Sequence, residues 1–246
     1  LAWYLAGGYS WNDIYTINLH LRHEQSNVFG NRANDEFMPI WALSGKWNIK
    51  RDILKKTSWV NELDLRASYG WQGNMLTGQT ARMIMTQANL THPYYGQTYA
   101  TIQNYPNPDL KWEKTTSSNI GLDFSLFNNK IRGNVSYYYK RTKDAFLSKT
   151  ISEINGITNY VVNSGTLENQ GFEVALSFTP INQLATAEGG KRGFVWRIDP
   201  QIGEVINKLV NRAITNTNVI RDNIKYTDYL NGTVETSGNA LSTFYS

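Results

Sequence analysis

The residue pattern predicts an all-β chain: an antiparallel up-and-down transmembrane β-barrel, here about eight strands of a larger barrel. Three observations carry the prediction. Apolar and polar residues alternate with a period of two along most of the chain, which marks strands with two unlike faces. Several alternating stretches approach the roughly 9–11 residues that a tilted membrane strand needs, whereas globular strands cluster near five or six. The links between them alternate short and long, as in a barrel with tight turns at one end and extended loops at the other.

In chain order, the first strand is expected over 1–8, opening on Leu1-Ala2-Trp3-Tyr4, with a short link at 9–12. The second, 13–24, alternates Tyr15, Ile17, Leu19 and Leu21 with Thr16, Asn18, His20 and Arg22. A long link, 25–37, leads to a strand over 38–49, and a short one, 50–60, to a strand over 61–72. There Leu63, Leu65, Ala67 and Tyr69 alternate with Asp64, Arg66 and Ser68. The link 73–113 is the longest inside the strand region. Strands over 114–127 and 130–147 form a hairpin, with Asn128-Asn129 at the turn because asparagine tolerates positive φ. A long link, 148–165, precedes a strand over 166–180, in which Phe172, Val174, Leu176 and Phe178 alternate with Glu173, Ala175, Ser177 and Thr179. A short link, 181–193, leads to a last strand over 194–209, and 210–246 is read as a further long connection. Eight strands alone close into a barrel whose interior side chains fill, so loops of this length point to a wider barrel with further strands.

Composition agrees. Aromatic residues reach 13% and charged ones only 18%, below the roughly 25% usual for soluble domains. A negative mean hydropathy does not exclude a membrane, because a barrel strand meets lipid only at every second residue. No apolar run is long enough for a transmembrane helix. The absence of cysteine removes disulfides, thiolate metal sites and thiol nucleophiles. The net charge of +4 is modest and its cations are scattered, so no nucleic-acid-tracking stripe is read and no nucleic-acid partner is expected.

No catalytic residues, cofactor site or metal site are expected, and the chain is read as not an enzyme. His20 and His23, three residues apart on a strand, point to opposite faces and are read as plain polar groups. No nucleophile elbow, phosphate loop or dinucleotide motif occurs. Asn89-Leu90-Thr91, Asn134-Val135-Ser136 and Asn231-Gly232-Thr233 match a glycosylation sequon by chance. The candidate binding element is the long loop. Trp71 stands at its base, followed by His92, Tyr94, Tyr95, Tyr99 and Tyr105. Flat rings with polar tips stack on sugars or pack against peptides. The ordinary alternative for any one of them is packing within the loop or a place in the interfacial aromatic girdle. Tyr137 and Tyr139 are assigned to that girdle with Tyr138 facing the other way, and Trp112 is read as an interfacial anchor.

Several segments resemble the barrel of the SusC/RagA family of TonB-dependent outer-membrane transporters, found in Bacteroidetes. Asn107-Pro108-Asp109-Leu110-Lys111-Trp112-Glu113-Lys114-Thr115, followed by Asn119-Ile120-Gly121-Leu122-Asp123, is similar to the family's N-P-x-L-K-W-E-x-T and N-x-G-x-D stretch. Leu63 to Asn74 resembles its L-x-L-R-x-S-Y-G-x-x-G-N. Tyr138 to Asp144 resembles Y-Y-x-R-x-T-x-D, and Asn163-Ser164-Gly165 and Asn169 to Glu173 resemble N-x-G and N-x-G-x-E. Gly238 to Tyr245 resembles G-x-P-L-x-x-F-Y, with Ala240 where the family has proline.

The resemblance implies residence in a bacterial outer membrane, in contact with its lipid. It implies TonB-driven import of glycans or peptides, a SusD-like surface lipoprotein as partner, and TonB engaged through a plug domain. On this reading residues 1–246 are part of the receptor barrel, and the plug, the TonB box and the final strands are absent from them. Asp64, Arg66, Asp123, Arg132 and Glu173 then face the lumen and contact neighbouring strands or the plug. Two alternatives stay open: an outer-membrane adhesin or structural barrel without transport, and a soluble carbohydrate-binding β-sandwich, which requires two stacked sheets.

Overall fold

The computed structural model describes residues 2–24, 39–74, 82–92, 94–150, 154, 159–183, 193–212, 226 and 230. The strands are β1 (Ala2–Trp11), β2 (Tyr15–Glu24), β3 (Pro39–Asn48), β4 (Val60–Asn74), β5 (Ile84–Thr91) and β6 (Thr98–Asn104), then β7 (Glu113–Leu126), β8 (Ile131–Thr150), β9 (Asn159–Gln183), β10 (Phe194–Ile198) and β11 (Gln201–Arg212). One helical turn, α1 (Ile49–Asp52), opens the link after β3. A nine-stranded antiparallel sheet runs β1-β2-β3-β4-β7-β8-β9-β10, with β11 also paired to β9. Sequence neighbours are sheet neighbours, except where β4 pairs β7 across the separate β5–β6 hairpin and where β11, like β10, pairs β9. This is the expected up-and-down order. The described sheet remains open, with β1 at one edge and β10 and β11 at the other.

Register divides the sheet into two faces. One ladder row reads Tyr15, Trp47, Leu65, Leu122, Val135, Val174, and the next reads Ile17, Gly45, Ala67, Ile120, Tyr137, Phe172. Between them, pointing to the other side, runs Thr16, Lys46, Arg66, Gly121, Ser136, Glu173. The apolar face is uncovered: Ile17, Ile120 and Tyr137 are 55%, 57% and 47% exposed. Buried apolar side chains among the described residues are few, namely Val60, Leu110, Ala145, Leu147 and Leu209. A water-soluble sandwich would bury its apolar face against a second sheet; here the only other described sheet is the two-stranded β5–β6.

Three short links follow β1, β3 and β7 as expected, the first lying at 12–14 rather than 9–12, while most of the short link expected over 181–193 lies outside the described residues. At 12–14, Asn12 and Asp13 adopt φ of 51° and 52°, the left-handed values of a tight hairpin. At 127–130, Phe127, Asn128 and Asn129 all have positive φ. Phe127 is held there by stacking on Trp59, ring centroids 5.7 Å apart, and by donating its N–H to the Trp59 carbonyl at 2.7 Å. In the third, Asn48 caps α1 by accepting from the Arg51 N–H at 2.9 Å. Asp52 then receives Tyr15 Oη at 2.5 Å and Trp47 Nε1 at 3.1 Å, tying β2 and β3 together at this end.

Four expectations change. The link 73–113 contains the β5–β6 hairpin, whose polar residues gave little alternation to read. The link 148–165 is largely strand: β8 and β9 stay paired out to Thr150 opposite Asn159. The strand over 194–209 is split at Asp199-Pro200, where proline has no N–H for the ladder; a register shift lies just before it, between Trp196 and Ile198. The first strand runs on to Trp11. The link 25–37 lies outside the described residues, as does 210–246 apart from 210–212, Tyr226 and Leu230.

Candidate functional site

The chain leaves β4 and β8, and enters β7 and β9, at the end of the sheet opposite the three tight turns. Here β8 and β9 run beyond their neighbours, and the residues from Tyr105 to Glu113 fold against that extension. The Asn107 side-chain amide donates to the Val161 carbonyl at 2.7 Å. Asn163 accepts from the Lys111 N–H at 3.0 Å and donates to the carbonyls of Lys111 and Asp144 at 2.8 and 2.9 Å. Lys111 Nζ meets Asp144 at 2.9 Å. Glu113 accepts from the Phe146 N–H at 2.7 Å and from the Asn74 amide at 2.8 Å. Leu110, 1% exposed, is the centre of a small core with Trp112 and Phe146. Asp144 adopts φ of 57°, where the β8–β9 register shifts. This bulge turns its carbonyl toward Asn163. Tyr160 donates its hydroxyl to the Pro106 carbonyl at 2.9 Å. Burial, with the Asp109 carboxylate adding, pushes its phenol up.

This clasp fixes the C-terminal root of the β5–β6 loop. The hairpin it carries turns through residues 92–97, closed by His92 N–H to the Gln97 carbonyl at 2.8 Å and by Gly96 at φ 62°. The His92 ring is the hub of an aromatic cluster, with centroids 4.8 Å from Tyr95, 5.5 Å from Tyr99 and 5.9 Å from Tyr94. Its Nδ1 accepts from the Tyr94 N–H at 3.3 Å. Tyr94 and Tyr95 are 88% and 77% exposed, so their faces are open rather than spent on packing.

The structure thus brings together His92, Tyr94, Tyr95 and Tyr99. It places Tyr105 in the segment just after β6 and before Pro106, and it sets Trp71 apart. Trp71 lies on β4 opposite Trp41, in the same alternation as Leu65 and Tyr69, and so on the apolar face. Trp112 packs on Leu110 and lies against Gly73. Tyr137 and Tyr139 share the apolar face while Tyr138 takes the other, as the alternation requires. The clasp escaped residue-by-residue reading, because Asn107, Asp144 and Asn163 come from three separate segments.

The polar face carries a charged ladder. Lys46 pairs with Asp64 at 2.5 Å, and Arg66 with Asp123 at 2.5 Å. Asn134 donates to Asp123 at 2.5 Å. Asp64 is 1% exposed, and its Oδ1 has no hydrogen-bond donor among the described residues. The partners of Asp64, Arg66 and Asp123 are side chains on adjacent strands. Arg132 and Glu173 lie on the same face by register. His20 and His23 fall on opposite faces, and His23 packs against Trp3 at 5.8 Å.

Comparison with known proteins gives a consistent result. A TonB-dependent receptor P26 of Formosa agariphila is 34% identical over 175 residues, which is 70% of this chain and 18% of that protein. The TonB-dependent receptor SusC of Bacteroides thetaiotaomicron is 32% identical over 180 residues, again 70% of this chain and 18% of the relative. The chain therefore spans less than a fifth of the curated relatives it matches. Among solved structures, the RagAB peptide importer in its closed-closed state superposes with a TM-score of 0.78 at 21% identity, over 97% of this chain and 24% of that one. This likeness concerns the fold. The family model described as TonB dependent receptor-like, beta-barrel matches residues 1–246, and with the two-faced antiparallel sheet it establishes that the chain belongs to the TonB-dependent receptor β-barrel family.

Proposed function

We propose that residues 1–246 form part of the wall and outer loops of a TonB-dependent importer of glycans or peptides in a bacterial outer membrane. The plug domain, TonB box and remaining strands are contributed from outside these residues. The observation that carries this reading is the two-faced open sheet. Its apolar face has no protein cover among the described residues, and its edge strands offer backbone groups that lipid cannot satisfy, so further strands must close it. A SusD-like lipoprotein is the proposed partner at the mouth, and TonB the source of work through the plug. Relatives named as a TonB-dependent receptor and as a peptide importer support this reading.

Within it, His92, Tyr94, Tyr95 and Tyr99 form the substrate-contacting cluster, with Tyr105 at its root. Trp71 is reassigned to the membrane-facing aromatic belt beside Trp41 and Tyr69. Heat-dependent gel mobility of the full-length receptor, extracted in detergent, tests the barrel: a closed barrel resists SDS until boiled and then shifts. Recovery as a soluble protein without a shift rejects it. Binding of oligosaccharide and peptide libraries to Tyr94→Ala/Tyr95→Ala tests the cluster. At about 1 kcal/mol per ring, affinity falls roughly thirtyfold while the heat shift is unchanged. Unchanged affinity rejects the cluster but not the barrel.

A further inference from the structure

The apolar face ends abruptly in cations. On β8 it runs Ile131, Val135, Tyr137 and Tyr139, then Arg141 and Lys143. From Ile131 to Tyr139 the strand rises about 26 Å, or about 20 Å of depth once tilted, close to the roughly 25 Å apolar band of such barrels. Arg141 stands one pleat further out, about 5 Å in depth. Register extends this edge sideways. One row reads Thr116, Arg141, Glu168, Lys208, and the next reads Gly73, Lys114, Lys143, Thr166. These two rows hold four cations and one carboxylate, Glu168, which lies 3.5 Å from Arg141. Lys114 sits directly opposite Lys143, which concentrates positive charge at this point of the edge. The side chains lie on the apolar, membrane-facing side, at the end from which the long loops emerge. A soluble substrate in the lumen does not meet them.

We propose that Arg141, Lys143, Lys208 and Lys114 form a docking surface for an anionic, phosphate-bearing lipid headgroup of the leaflet on the long-loop side. The inference rests on the outer-membrane reading above. Long basic side chains place their stems on the apolar band and their charged ends at headgroup depth. The tyrosines directly below occupy the interfacial girdle. The excess positive charge of the two rows matches phosphate and would repel a basic partner.

The test reconstitutes the full-length receptor in phosphatidylcholine nanodiscs with and without bisphosphorylated lipid A. Lipid A retained per protein after detergent release is read by native mass spectrometry. Each basic residue near an anionic surface contributes about fivefold, so Lys143→Gln/Lys208→Gln lowers retention about thirtyfold. Lys143→Arg/Lys208→Arg retains it. Lys55→Gln/Lys56→Gln, which removes the same charge in the link after α1, also retains it. Equal retention by Lys143→Gln/Lys208→Gln and the unaltered receptor overturns the proposal. So does displacement of lipid A by inorganic phosphate alone, which would mark a free-anion site. Gels run on the same samples separate the two readings. A normal heat shift with equal retention overturns the lipid site alone, and no shift overturns the barrel as well.

Discussion

Asn163 serves three backbone groups, the N–H and C=O of Lys111 and the C=O of Asp144. Asn163→Ala leaves them without partners in a part-buried site, at a cost of about 2–3 kcal/mol. The expected readout is local: faster hydrogen exchange and protease cleavage in 105–113 and 144–163, with β7–β8 pairing below Lys143 unchanged. Uniform loss of protection across the sheet would show that the clasp is not an independent unit. Lys46→Met acts differently. It strands the Asp64 carboxylate, which is 1% exposed. Removing one partner of a buried pair costs about 3–5 kcal/mol, discounted to about 2 because the Lys46 head keeps solvent access. A fall in the temperature at which SDS resistance is lost checks this, and Lys46→Met/Asp64→Leu recovers most of it. Asp64 could be read in the sequence as polar and inward-facing, whereas Asn163 fell in an expected link. Their partners could not, because pairing depends on register between strands far apart in the chain.

At the scale of elements, the turn 127–130 and the β9–β11 pairing make separate demands. Asn128 has φ of 57°, so Asn128→Val forces a β-branched residue into the left-handed region and costs about 1–2 kcal/mol, whereas Asn128→Gly is neutral or better. Refolding into detergent micelles, followed by the heat shift, ranks the two. This turn was legible beforehand because asparagine pairs between alternating runs carry a local signal. Gly171 was not. A Cβ there would lie 2.5 Å from the Glu204 carbonyl and 2.8 Å from the Tyr138 ring. Gly171→Val should therefore displace Tyr138 and part β11 from β9, costing about 1–3 kcal/mol. Selective loss of exchange protection in β11 is the expected signature. The β5–β6 hairpin was missed for a related reason: its strands join no large two-faced sheet, so they need no strict alternation.

Over the whole molecule, the assignment of faces makes the broadest prediction. Val135→Arg places a charge in the middle of the apolar band and costs about 2–4 kcal/mol, blocking assembly into the membrane. Ser136→Arg, one residue on, faces the polar side and is tolerated. Comparable assembly of the two variants, measured by heat-shifted protein recovered from outer membranes, would refute the face assignment. The sequence by itself determined the all-β class, most strand positions, the two faces and the tight turns. All of these follow from period-two alternation and turn chemistry, which act between residues close in the chain. Only the tertiary structure decided that Asn107, Asp144 and Asn163 form one clasp and that His92 gathers three tyrosines. It also decided that cations from three strands line up beyond the aromatic belt. Each of these depends on strand register and loop docking, and contacts across such distances leave no periodic trace in a single sequence.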